Sequence, residues 1–299
     1  MLEFNENISE IVYGLVYFGL SAPLLVLYIV VIMAVYNKDK QKANMTLKII
    51  NLIHLCQSGQ VIGQIIISPF LIFPGIQTKM DMFLRIVGSF MTMFYNSELP
   101  STALLAVTRV LVFSDVLKTS TVPLFVKIFF FLLFSYLILI FFYSCTSGMY
   151  TFVSPAFFFH RDVPFAAIIQ LTNLISNLIS LAVSYTCYII LVYLIYVRKR
   201  GSSSAKSRSR ELSIMIQYTI IVVYFSVSLI FWRQASTIFD LQIPLLRMTM
   251  NVNWIVGCAL NPILILIFNK SIREESGKIM GFENTTRVKT VPITPTGSM

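Results

Sequence analysis

The sequence predicts an all-α membrane protein, a bundle of seven membrane-crossing helices with its N-terminus outside and its C-terminus in the cytoplasm. Three observations carry that expectation. Of the 299 residues 57% are hydrophobic and 12% charged, where soluble domains run about 45–50% and about 25%. The apolar residues gather into seven blocks, each long enough for a helix rising about 1.5 Å per residue to cross about 30 Å of hydrocarbon. Of the 23 Lys and Arg residues, 18 fall on one side of these blocks; only Lys79, Arg85, Arg161, Arg233 and Arg247 fall on the other. Basic residues accumulate on the cytoplasmic side of membrane proteins, so the acidic N-terminus lies outside, the tail inside, and the number of crossings is odd.

The elements follow in order. Residues 1–10 carry Glu3, Glu6 and Glu10 and read as an extracellular N-terminus. They lack the basic start of a cleavable leader, so the first span, Ile11 to Tyr36, is its own anchor. Asn7-Ile8-Ser9 is a glycosylation sequon beside that span. Span two covers Met45 to Phe73, span three Met82 to Phe113, span four Leu124 to Ser144, span five Phe165 to Val197, span six Leu212 to Trp232 and span seven Pro244 to Phe268. Pro123, Pro164 and Pro244 stand at or just before the starts of spans four, five and seven, where a missing N–H costs a helix nothing. Spans three and five exceed a perpendicular crossing and are expected to tilt or project. Residues 269–280 read as an amphipathic helix lying on the membrane, and 281–299 as a disordered cytoplasmic tail whose threonines, Thr285 to Thr296, are open to phosphorylation.

Composition also excludes functions. The net charge of +10 would suit a nucleic-acid partner if clustered on one surface, but the basic residues sit in loops between spans, so no nucleic acid is expected. Cys56, Cys145, Cys187 and Cys258 lie in different blocks with neither disulfide nor metal-ligand spacing. No aspartate pair lies at membrane depth, His54 and His160 are too few for a catalytic metal cluster, span seven has no lysine, and no Gly-rich phosphate loop occurs. The chain is expected to be no enzyme and to hold no cofactor.

Charged residues near the bilayer centre cost roughly 2.5–3.5 kcal/mol, which singles out Glu98, midway along span three. Arg109 follows eleven residues later and falls on nearly the same helix face, with Met91, Thr102 and Leu105. That face is expected to point into the bundle. Pro100 leaves the carbonyl of Asn96 without its helical donor and bends the helix beside Glu98. In span five Gln170, Asn173, Asn177, Ser180 and Ser184 form one polar stripe, its inner members expected to bond between helices and its outer two either to bond likewise or to line a ligand cavity. Span two carries Asn51, His54, Gln57, Ser58, Gln60 and Gln64 over more than one face, with His54 as a packed hydrogen-bonding partner. Trp232, at a span end, reads as an interfacial anchor. The expected ligand-facing set is Met91, Tyr95, Glu98, Gln170, Asn173 and Trp254. The loop from Arg198 to Glu211 mixes six basic residues with five serines, which fixes orientation, attracts anionic lipid and leaves Arg198, Lys199 and Arg200 as contacts for a cytoplasmic partner.

Two motifs at the inner end add a family likeness. Leu104-Leu105-Ala106-Val107-Thr108-Arg109-Val110 resembles the element of G-protein-coupled receptors in which an arginine faces the G-protein cavity, here flanked by Thr108 and Val110 rather than an acid and a tyrosine. Asn261-Pro262 followed by Phe268 and a short basic helix resembles the seventh-span switch, with Ile265 in place of its tyrosine. Span six lacks the tryptophan-proline pair, and no cysteine at the outer end of span three can join Cys145. With Leu47-Lys48-Ile49-Ile50-Asn51-Leu52 opening span two, the pattern resembles the nematode serpentine chemoreceptors, particularly the group containing classes T and X. The resemblance implies a seven-helix bundle of receptor type in the plasma membrane of a sensory neuron, in its cilium. It would bind a small environmental molecule and activate a heterotrimeric G protein through Arg109, Asn261, Pro262 and the basic loop. The rival is a seven-span transporter of three-plus-one-plus-three design: Pro100 and Pro262 match between its halves, while Pro23 has no counterpart in span five.

Overall fold

The computed structural model describes residues 2–41, 44–77, 79–118, 121–160, 162–198, 205–238 and 243–282. Its elements run α1 (Leu2–Gln41), α2 (Met45–Ile72), a single turn α3 (Pro74–Gln77), α4 (Asp81–Phe113), α5 (Leu124–Ser147), β1 (Tyr150–Val153), β2 (Ala156–Phe159), α6 (Ala166–Arg198), α7 (Ala205–Ile238), α8 (Pro244–Phe268) and α9 (Lys270–Ile279). Seven of the described helices are long, and each covers one of the expected spans to within a residue.

Six of those seven are long and apolar enough to cross a membrane; α4 is not. Packing explains the exception. From Asn96 to Arg109 nearly every residue of α4 is buried, Glu98, Ser101, Thr102 and Thr108 among them, because α2, α5, α6 and β1 surround it. A helix with no lipid-facing side needs no apolar surface. The converse holds for α5, where only Val126, Leu137, Ile140 and Ser144 are buried: in its most apolar stretch 17% of residues are buried, against 67% in α2.

Three features differ from the sequence reading. α1 begins at Leu2, inside the stretch read as an extracellular N-terminus. α7 begins at Ala205 rather than Leu212, so the second half of the basic loop is helical. Between α5 and α6, β1 and β2 form an antiparallel hairpin, Tyr150 opposite Phe159 and Val153 opposite Ala156, turning through Ser154 and Pro155; the helical fold carries a small strand element that periodicity did not signal.

Among the described residues the apolar core has two large parts and a small third one, Ile140, Met149 and Ala166, beside the hairpin. One large part joins Val31, Ile49, Ile53, Leu105, Tyr218, Ile265 and Ile272; the other joins Tyr17, Leu71, Leu84, Met91, Phe152 and Ile255. On α2 and α4 a polar band, Gln57 to Gln60 and Asn96 to Glu98, lies between them. The hairpin closes one end of the bundle. At the other, Arg273 on α9 donates to the last carbonyls of α8, those of Leu266 (2.9 Å) and Ile267 (2.8 Å), satisfying groups a helix end leaves open. Glu275 pairs there with Lys38 of α1 at 3.1 Å and accepts from Asn37 at 3.4 Å. The Lys38 ammonium beside it holds the Glu275 carboxyl below the usual carboxylate range, against the opposing pull of burial.

Candidate functional site

Four helices meet at Glu98. Its carboxylate accepts from the side-chain amide of Gln57 on one oxygen and from Gln60 Nε2 at 3.1 Å on the other. Gln60 Oε1 in turn accepts from Trp254 Nε1 of α8 at 2.5 Å. An indole N–H can only donate, so Gln60 must turn its oxygen to Trp254 and its N–H groups to Glu98. Gln57 is less constrained. Its Oε1 lies 2.9 Å from the hydroxyl of Tyr28 on α1, which also donates to the carbonyl of Cys258 at 2.5 Å. That carbonyl is free because Pro262, four residues on, has no N–H to give it. Tyr28 has one proton for two acceptors, so the Gln57 amide can face either way. In one arrangement Glu98 is an acceptor on both oxygens; in the other it carries a proton donated to Gln57 Oε1, and Gln57 donates to Tyr28. Glu98, Gln57, Gln60 and Tyr28 are all 1% exposed or less, so neither arrangement is diluted by bulk water.

Aromatic and thioether groups wall this acid on the hairpin side. The rings of Tyr95 and Trp254 meet edge-on with centroids 5.4 Å apart, and Trp232 meets Trp254 at 6.4 Å, so the residue read as an interfacial anchor also packs on the site. Met91 takes the space above Gly63, where a Cβ would collide with the methionine side chain. Above them sits the hairpin. Tyr17 Oη and Asn251 Nδ2 each donate to the Pro155 carbonyl at 3.1 Å, and Arg247 donates to that of Val153 at 3.3 Å. Phe157 presses on Gly88, where a Cβ would fall 2.6 Å from the ring.

Toward the α9 end, Arg109 is buried and shares a space of about 10 Å³ with Leu105, Tyr188, Leu191, Ile214, Met215 and Tyr218. That is about one water. α4, α6 and α7 are therefore closed around the arginine. Asn261, one turn beyond Cys258 on α8, is 1% exposed, with neither amide atom hydrogen-bonded among the described residues.

Of the expected ligand-facing residues, Met91, Tyr95, Glu98 and Trp254 form one group. Asn173 accepts instead from Tyr136 of α5 at 3.2 Å, and Gln170, one turn away, is half-buried. Asn177, Ser180 and Ser184 are buried, the two serines bonded to their own helix at Ser176 and Ser180 rather than across to another. His54 packs edge-on to Tyr28 at 5.8 Å, but neither ring nitrogen has a hydrogen-bond partner among the described residues, so the expected bond is not made there. Gln57, Gln60, Tyr28 and Cys258 were missed as site residues. Their signal was present: at 100° per residue Gln57, Gln60 and Gln64 fall within about 60° of one another, one face rather than several. All four cysteines are free. Arg198 ends α6, its side chain undescribed; Lys199, Arg200, Arg161 and the tail threonines lie outside the described residues.

Compared with known families, residues 2–289 match the model of the serpentine type 7TM GPCR chemoreceptor Srt. No curated protein matches the chain. The match spans nearly the whole sequence, and the chain belongs to this nematode chemoreceptor family. It is a family of receptors rather than enzymes, and nothing in the match favours the transporter.

Proposed function

We propose that this Srt-family protein is a plasma-membrane chemoreceptor that binds a small molecule between the hairpin and the Glu98 group and signals to a heterotrimeric G protein at the Arg109 end. The N-terminus lies outside and α9 on the cytoplasmic face, where the basic loop and Arg198, Lys199 and Arg200 add contacts for the G protein and anionic lipid. The observation that carries the reading is the meeting of α1, α2, α4 and α8 on a single buried acid, whose partners admit a second hydrogen-bonding arrangement. A ligand touching Met91, Tyr95 or Trp254 that prefers one arrangement shifts the population toward it. The shift reaches α8 because Tyr28 bonds the carbonyl freed by Pro262, one turn before Asn261.

Arg109 supplies the output. Its surroundings hold about one water, so a G-protein segment enters only after α7 moves away from α4, exposing the guanidinium. By family the site of action is the cilium of a sensory neuron. The test is nucleotide exchange on a co-reconstituted G protein, driven by a panel of small volatile and water-soluble compounds. At least one compound class should stimulate exchange, and Arg109→Ala should abolish it at unchanged surface expression. Normal signalling from the variant overturns the reading.

A further inference from the structure

We propose that the groove between the inner ends of α1, α2 and α5 is a binding site for phosphatidylserine. The groove encloses about 490 Å³ between Leu52 and Leu55 of α2 and Val126 and Phe130 of α5. These are apolar walls suited to an acyl chain. Its polar lining is of mixed sign: Lys48, Lys127 and Asp39. Both lysines are exposed, while Asp39 is half-buried and fixed by accepting the backbone N–H of Asn44 at 2.8 Å, leaving its other oxygen available. Two cations and one anion complement a headgroup with two anions, phosphate and serine carboxylate, and one ammonium. Asn51 lines the groove one helical turn deeper than Lys48, the depth of a glycerolipid's ester carbonyls, to which its amide can donate. No part of the Glu98 group takes part. The leaflet assignment rests on the proposed orientation, which puts this end at the cytoplasmic face, where serine lipids concentrate.

The site is tested on the full-length chain in nanodiscs of equal parts phosphatidylcholine, phosphatidylglycerol and phosphatidylserine, reading the retained lipid by native mass spectrometry after extraction. Phosphatidylserine should exceed phosphatidylcholine by about tenfold or more, the scale two lysines near a membrane surface supply, and should exceed phosphatidylglycerol as well. Lys48→Gln with Lys127→Gln should bring phosphatidylserine down to the phosphatidylcholine level. Asp39→Asn, which keeps the acceptor for Asn44, should erase only the preference over phosphatidylglycerol. Leu55→Trp fills the groove without touching charge and should expel all three, which decides the matter if the lysine pair fails to fold. Lys40→Gln with Lys270→Gln removes two exposed charges outside the groove and should change nothing. Equal retention of phosphatidylglycerol, or a loss of equal size in that control, overturns the proposal. Both faces of a nanodisc offer the same lipids, so a wrong orientation leaves this result intact and shows only in the accessibility of the termini.

Discussion

At the scale of single residues, Trp254 does more than pack. Its indole fixes Gln60, so the Glu98 oxygen facing Gln60 is always an acceptor, while the oxygen facing Gln57 is free to change role. Glu98→Gln reproduces the protonated arrangement, with its carbonyl toward Gln60 and its amide toward a turned Gln57. It should therefore fold and reach the surface like the wild type, yet show a shifted dose-response or constitutive exchange. Glu98→Leu removes both acceptors and should cost about 1–3 kcal/mol for each stranded glutamine N–H; Trp254→Phe leaves Gln60 Oε1 only the weak Cys258 thiol donor at 3.7 Å and should cost less. Thermal unfolding in nanodiscs measures these losses, and a Glu98→Gln protein as unstable as Glu98→Leu would refute the two-arrangement account. Glu98 itself was legible because a lone acid at membrane depth demands partners. The partners were less so: glutamines are tolerated in many surroundings, and only their three- and seven-residue spacing marked a common face. Nothing in the sequence tied Asn173 to Tyr136, since that pairing depends on how α5 and α6 are placed.

Whole elements were read from the length of apolar runs, which is why the seven long helices fall where expected while α1 and α7 begin well before their spans. A helix does not stop where the hydrocarbon does, so α1 and α7 also take in residues 2–10 and 205–211, ahead of the apolar runs. The hairpin was not legible because four-residue strands give too short a pattern, and its anchors Tyr17, Arg247 and Asn251 come from distant helices. The docking of α9 on α1 yields a pH dependence. Glu275 is held below the ordinary carboxylate value, chiefly by Lys38. Its contribution is thus complete above the unfolded value of about 4.3 and is lost as pH falls through the lower folded value. Spin labels at Lys40 and Glu274 should keep a narrow distance distribution from neutral pH to about 5 and broaden only in stronger acid. Glu275→Gln should be broadened at every pH by the loss of at most about 1 kcal/mol, as for a partly exposed ion pair. A wild-type distribution indifferent to acid would show that the ion pair does not hold α9.

For the molecule as a whole, the 18 to 5 division of basic residues requires an epitope at Met1 to be reached by antibody on intact cells and one at Met299 only after permeabilisation; the reverse pattern would invert the receptor. The division was fully legible, since it needs only the order of charges and spans. The enclosure of α4 by α2, α5 and α6 was not, because it depends on how those helices are placed; it lets α4 sit in the bundle although its composition alone falls short of a membrane helix. That shortfall has a consequence for biogenesis. A segment with Glu98 at its centre, offered by itself to the insertion machinery, faces about 2.5–3.5 kcal/mol for the charge and gains little from its surroundings in lipid. It must be retained at the translocon until α2, already made, and α5 and α6, not yet made, can enclose it. Lesions on those neighbours would therefore appear first as a strand of nascent chain left on the wrong side of the endoplasmic reticulum, and only in milder form as a receptor that arrives but does not respond.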